Sequence, residues 1–140
     1  MLSFTDPAIT VEAATSYLDA IEAVDWPDST AEREAAILRG QRHLAREYNQ
    51  RWADEWANDE APELVQHAIA EAALVEARTP GITSRVVTPS EAKVLTRVGN
   101  LQWQPVRQGD TAEGMKPRLT HVEAMLRPVL RAKSIFLERA

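Results

Sequence analysis

Residues Ala61–Arg78 read APELVQHAIAEAALVEAR, and this stretch decides the fold. Pro62 suits the first helical position, where its missing N–H costs nothing, and Glu63 adds favourable charge to that turn. Leu64, Val65, Ala68, Ile69, Ala72 and Val75 then recur at helical spacing as a wide apolar stripe. Much of the stripe is alanine, whose small side chain lets other helices approach closely. The pattern predicts the central helix of a small antiparallel bundle, stopped by Thr79, Pro80 and Gly81.

Upstream, Ser29 and Glu32 make a capping box that opens another helix. Its stripe is Ile37, Gln41, Leu44, Tyr48 and Trp52, with Gly40 and Ala45 beside it and Arg39, Arg42 and Arg46 on the polar face. Gly40 costs about 1 kcal/mol of helix stability against alanine, which a close helix crossing at that position would explain. Trp26-Pro27-Asp28 reads as a turn, because Pro27 pushes Trp26 out of helical geometry. Before it, Thr10 caps a first helix with Ala14, Tyr17, Leu18, Ile21 and Val24 on one face. Trp52 and Trp56 stand four residues apart in an acidic connector, as they would on one helical face. Large aromatics usually serve packing, so the pair is expected to cover the bundle end. A base-stacking role is opposed by Asp54, Glu55, Asp59 and Glu60, which repel phosphate.

Downstream the texture changes. Arg85-Val86-Val87 leans towards strand. Val94, Thr96 and Val98, then Leu101, Trp103 and Pro105, alternate around Gly99-Asn100 and predict a β-hairpin over 94–106. A lone hairpin is marginal in water, so Val94, Val98, Leu101 and Trp103 are expected to contact another surface. Gln108–Lys116 is a polar loop. Thr120 with Glu123 makes a second capping box, for a helix from His121 with Val122, Met125 and Leu126 inward, ended or kinked by Pro128. The tail from Val129 to Ala140 mixes Leu130, Ile135, Phe136 and Leu137 with Arg131, Lys133 and Arg139. It reads as a docking segment, against the alternative of a last helix folded back on its own core. The fold class is mainly α: a bundle of about four helices with one β-hairpin and a C-terminal docking tail. One domain is expected over 1–140, with the bundle at 10–80, the hairpin and loop at 83–117, and the C-terminal helix and tail at 119–140.

Composition narrows the function classes. The chain is 44% hydrophobic, which is too apolar for a disordered segment. It has no cysteine, which removes disulfides, thiolate metal sites and a cysteine nucleophile. The opening MLSFTDPAIT lacks the regions of a signal peptide, and no apolar run approaches the roughly 20 residues that span a bilayer. A soluble, intracellular protein with no membrane partner is expected. The net charge of −5 is unevenly spread. Residues 1–78 hold 6 Lys+Arg and 16 Asp+Glu, whereas residues 79–140 hold 10 and 5. Opposite charge in two halves suits two faces that meet different neighbours; a solvated acidic bundle with a basic tail is the plainer alternative.

Catalytic chemistry has no recognisable frame. There is no glycine-rich phosphate loop and no Ser-His-Asp signature in local context. His43 with Glu47, and His67 with Glu63 and Glu71, have metal-compatible spacing, but that spacing is common on any charged helix. No catalytic residue, metal or cofactor is expected.

The order of these segments resembles a family of tailed-phage head–tail connector (adaptor) proteins and the related DnaT-like single-stranded-DNA-binding proteins of phages. The matching run is ITVEAATSYLDAI, the Trp-containing turn VDWPDS, the helix REAAILRGQRHLAREY, the helix PELVQHAIAEAALVEA, the strand-forming VVTPSEAKVLTRVGNLQWQPV, and the closing LTHVEAMLRPVL. The resemblance covers most of the chain. It implies a non-catalytic assembly protein of the virion neck, put together in the host cytoplasm, that forms a ring of about a dozen copies by head-to-tail contact. Its implied partners are further copies of itself, the portal protein above, a neck, stopper or tail-completion protein below, and double-stranded DNA passing through without sequence-specific binding. In that setting Leu130, Arg131, Lys133, Ile135, Phe136, Leu137 and Arg139 are expected to dock on the portal. Val94, Val98, Leu101 and Trp103 are expected at subunit or tail contacts. The competing expectation is a single-stranded-DNA-binding module built on the basic C-terminal half and Trp103.

Overall fold

The computed structural model describes residues 1–84 and 119–132. The chain divides into two compact units, Met1–Gly81 with Leu119–Ala140, and Ile82–Arg118. In the second unit the described residues form a single 3₁₀ turn, Ile82–Ser84. The hairpin expected over 94–106 lies outside the described residues, as do the polar loop and the tail from Lys133 onward.

The first unit is a helical bundle of α1 (Val11–Ala20), α2 (Thr30–Tyr48), α3 (Glu63–Arg78) and α4 (Thr120–Leu126). No strand occurs among the described residues; the one extended pairing is an isolated antiparallel bridge between Trp52 and Leu130. Helix α3 is the hub and packs against each of the other three. Its buried set is wider than the expected stripe: Ala70, Ala73, Leu74 and Glu76 are buried as well as Val65, Ala68, Ile69 and Ala72. Neighbours on three sides leave little of it to water. Within the expected stripe, Val75 is half-buried and Leu64 stays exposed near the helix start.

Helix α2 follows its pattern. Ile37, Gln41, Leu44, Tyr48 and Trp52 are all buried. Ser29 caps the helix by accepting from the Glu32 amide. Gly40 faces the backbone of α3, where a Cβ would lie 2.6 Å from the Ala73 nitrogen and 2.9 Å from the Ala72 carbonyl carbon. Glycine is therefore required by close approach, not by conformation. Arg42 and Arg46 are exposed, but Arg39 turns to α3.

Three expectations need correction. Helix α1 starts at its Thr10 cap but ends at Ala20, so Ile21 and Val24 are 48% and 65% exposed. The stop is a Schellman motif: the Glu22 amide donates to the Asp19 carbonyl and the Ala23 amide to the Leu18 carbonyl, with Glu22 left-handed at φ 54°. Helix α2 stops at Tyr48, so Trp52 and Trp56 are joined by a bent connector and not by a helical face. Finally, α4 begins one residue early. Leu119, packed on the core, occupies the cap, and Thr120 is already helical and makes no capping bond.

Candidate docking surfaces

Four places in the bundle carry more than packing. The first is the seat of the C-terminal segment. Tyr48, Trp52 and Trp56 form a ladder of tilted rings, with centroids 5.9 Å and 5.1 Å apart. Trp52 is 4% exposed. Its indole N–H donates to Asn49 Oδ1 at 3.0 Å, and Asn49 also exchanges two hydrogen bonds with the Leu2 backbone, each 2.9 Å. The other side of Trp52 holds the chain after α4. The Ala53 amide donates to the Val129 carbonyl, the Arg131 amide to the Arg51 carbonyl, and Arg131 Nε to the Trp52 carbonyl at 2.9 Å. The buried indole has no face left for a nucleobase, and the pair covers the bundle end as its residue types predict.

Leu130 and Arg131, expected at the start of a docking tail, are thus placed on the bundle itself, with Leu130 half-buried. The other expected portal-docking residues, Lys133, Ile135, Phe136, Leu137 and Arg139, lie outside the described residues. So do the expected contact residues Val94, Val98, Leu101 and Trp103.

The second place is an open cleft of about 510 Å³ between the N-terminal segment and the start of α2. Ile9 and Ile37 floor it and Val11 and Leu38 are half-buried in its walls. Its charged lining residues are the exposed Glu12 and Glu34. The segment that forms one wall is tied down by Gln41. That buried side chain donates to the Ser3 and Asp6 carbonyls at 2.7 Å and accepts from the Ala8 amide. Sequence reading found Gln41 by its place in the stripe but not the cleft, whose walls are far apart in the chain.

The third is a polar cluster where α1, α3 and α4 meet. Tyr17 stacks on His67 with centroids 4.3 Å apart, and its hydroxyl donates to Glu71 at 3.0 Å. His121 approaches the same Glu71 oxygen at 3.8 Å, and His67 lies 3.7 Å from Glu63. Burial, then the Glu71 carboxylate, pushes the Tyr17 pKa up to about 12. His67 is occupied by ring stacking, and no group of three His, Asp or Glu among the described residues is arranged around a metal. His43, the other spaced histidine, points inward from α2 with its Nδ1 unpartnered.

The fourth is a buried acid. Glu76 is fully buried on α3 and accepts from Arg39 Nε at 3.0 Å and from the Gly81 amide at 2.8 Å. It fixes the turn after α3, where Gly81 adopts φ 85°. Nothing in the sequence singles out Glu76; only the packing of α3 on three sides marks it. The chain matches no protein-family model, no curated protein and no solved structure.

Proposed function

We propose that this protein is a structural connector of a tailed-phage virion neck, a subunit that assembles with copies of itself into a ring between the portal and the next neck component. The observation that carries the reading is the separation of charge between the described residues and the remaining segments of the chain. The described residues hold 8 Lys+Arg and 17 Asp+Glu; the remaining segments hold 8 and 4. An acidic body joined to cationic segments is complementary to further copies of itself in a head-to-tail contact, the kind that closes into rings. An acidic body also repels a duplex in transit and does not retain it. The segment order of the family it resembles points the same way.

The competing reading, a single-stranded-DNA-binding module, draws no support from the aromatic ladder, since Trp52 is buried and acidic side chains flank it. The test is sedimentation and negative-stain imaging of the purified full chain, with an oligonucleotide titration beside it. The reading expects a closed oligomer that dissociates as salt rises, because charge contacts are screened. A monomer that binds single-stranded oligonucleotides with a steep salt dependence would replace it with the DNA-binding reading.

A further inference from the structure

The cleft between the N-terminal segment and α2 combines an apolar floor with a purely acidic rim. We propose that it receives the C-terminal segment Lys133–Ala140 of a second copy of this chain, with Ile135 and Phe136 on the floor of Ile9 and Ile37 and the cations Lys133 and Arg139 beside Glu12 and Glu34. The inference rests on the reading of the chain as a self-assembling ring subunit, and gives the tail a receptor on the neighbouring copy.

Complementarity is the first argument. The segment reads KSIFLERA, three consecutive large apolar residues between cations, with one acid at Glu138. The cleft offers apolar side chains and two carboxylates, and its lining includes no cation among the described residues. Buried apolar anchors supply most of the attraction in such contacts, and rim charges steer encounter and fix register.

Reach is the second argument, and it selects a neighbouring copy. Arg131 is held at the far end of α2 by the Arg51 and Trp52 carbonyls. From that point Ile135 can travel at most about 14 Å and Phe136 about 18 Å on a fully extended chain. The floor and wall residues Ile37 and Leu38 lie eleven and ten positions back from Tyr48, about 15–17 Å along the helix, with Arg51 further on again. The N-terminal segment occupies α2 between the two places, with Leu2 at Asn49 and Ala8 at Gln41. A tail from the same copy therefore reaches the floor only at nearly full extension, with no slack to turn Ile135 and Phe136 inward, unless Arg131 detaches. A tail from a neighbour has no such limit, and a tail of one copy in a cleft of the next is a heterologous contact.

The test uses the full chain with a photocrosslinking benzophenone side chain at position 136, assembled from equal amounts of isotopically heavy and light copies. Mass spectrometry is expected to find position 136 joined to peptides containing Val11, Ile37 or Leu38, in mixed heavy–light pairs. Crosslinks confined to one copy, or mapping to another surface, overturn the proposal. In parallel, Glu12→Lys with Glu34→Lys is expected to weaken self-association at least tenfold by sedimentation, and adding Lys133→Glu with Arg139→Glu to restore it. Unchanged self-association, or no restoration, also overturns it. Assembly that persists with crosslinks elsewhere removes this contact and leaves the ring reading standing. A chain that stays monomeric at every concentration removes both.

Discussion

Glu22 sits where helices usually place glycine. Its φ of 54° closes the Schellman turn after α1, a conformation that costs a side chain roughly 1–2 kcal/mol, while glycine loses more entropy on folding. Glu22→Gly is therefore expected to stabilise the bundle by about 0.5–1 kcal/mol, read as a higher urea midpoint with an unchanged slope. A lower midpoint would mean that the glutamate side chain holds the turn. His43 sets a second expectation. Burial lowers its pKa below 6.5, outweighing the nearby Glu47, Glu76 and Glu123, while Arg46 adds to the lowering. The unfolded chain then binds the proton more readily than the folded one. The neutral histidine's contribution is complete above pH 6.5 and is lost as pH falls towards the depressed value. The melting temperature should drop below pH 6.5, and His43→Gln should flatten that slope; an equally steep slope in the variant would assign the effect to other groups. The end of α1 also shows why its stripe overran. With no glycine or proline between Ala20 and Val24, the periodicity runs on through Ile21 and Val24. The αL turn that stops it leaves no mark in residue type.

At the scale of elements, the α2–α3 crossing was the most legible feature. The glycine in a helix interior and the alanine-rich partner both announce close approach, and Gly40 meets Ala72 and Ala73. Gly40→Ala gains about 1 kcal/mol of helix propensity but drives a methyl into backbone that cannot rotate away. The expected balance is a loss of at least about 1 kcal/mol, a few degrees in melting temperature. An unchanged or raised melting point would show that the crossing can widen at no cost. Less was legible where tertiary contacts override local signals. Thr120 with Glu123 has the form of a capping box, yet Leu119 packs on the core and sets the start of α4. Trp52 and Trp56 do meet, as their spacing suggests, but across a bend held by the Leu130 bridge and the bonds around it. The cleft at Ile9 and Ile37 was not legible at all, because it joins residues 28 positions apart that each look like ordinary core.

For the whole molecule, the seat at Trp52 links the middle of the chain to its last described residues. Trp52→Ala should cost about 3–5 kcal/mol by removing a buried indole. It should also release the segment after α4. Hydrogen exchange at the Ala53 and Arg131 amides, which donate across the bridge, is expected to rise more than exchange within α3. Equal rises everywhere would mean global loosening with no special seat. The seat also has a topological consequence. Asn49 clasps Leu2 and the Trp52 indole, and Trp52 pairs with Leu130, so the N-terminal segment and the segment after α4 meet at one doorway. Splicing Ala132 to Leu2 with a short flexible linker, leaving out residues 133–140, and reopening the chain at the exposed turn around Asp28, should give a circular permutant that folds to the same bundle.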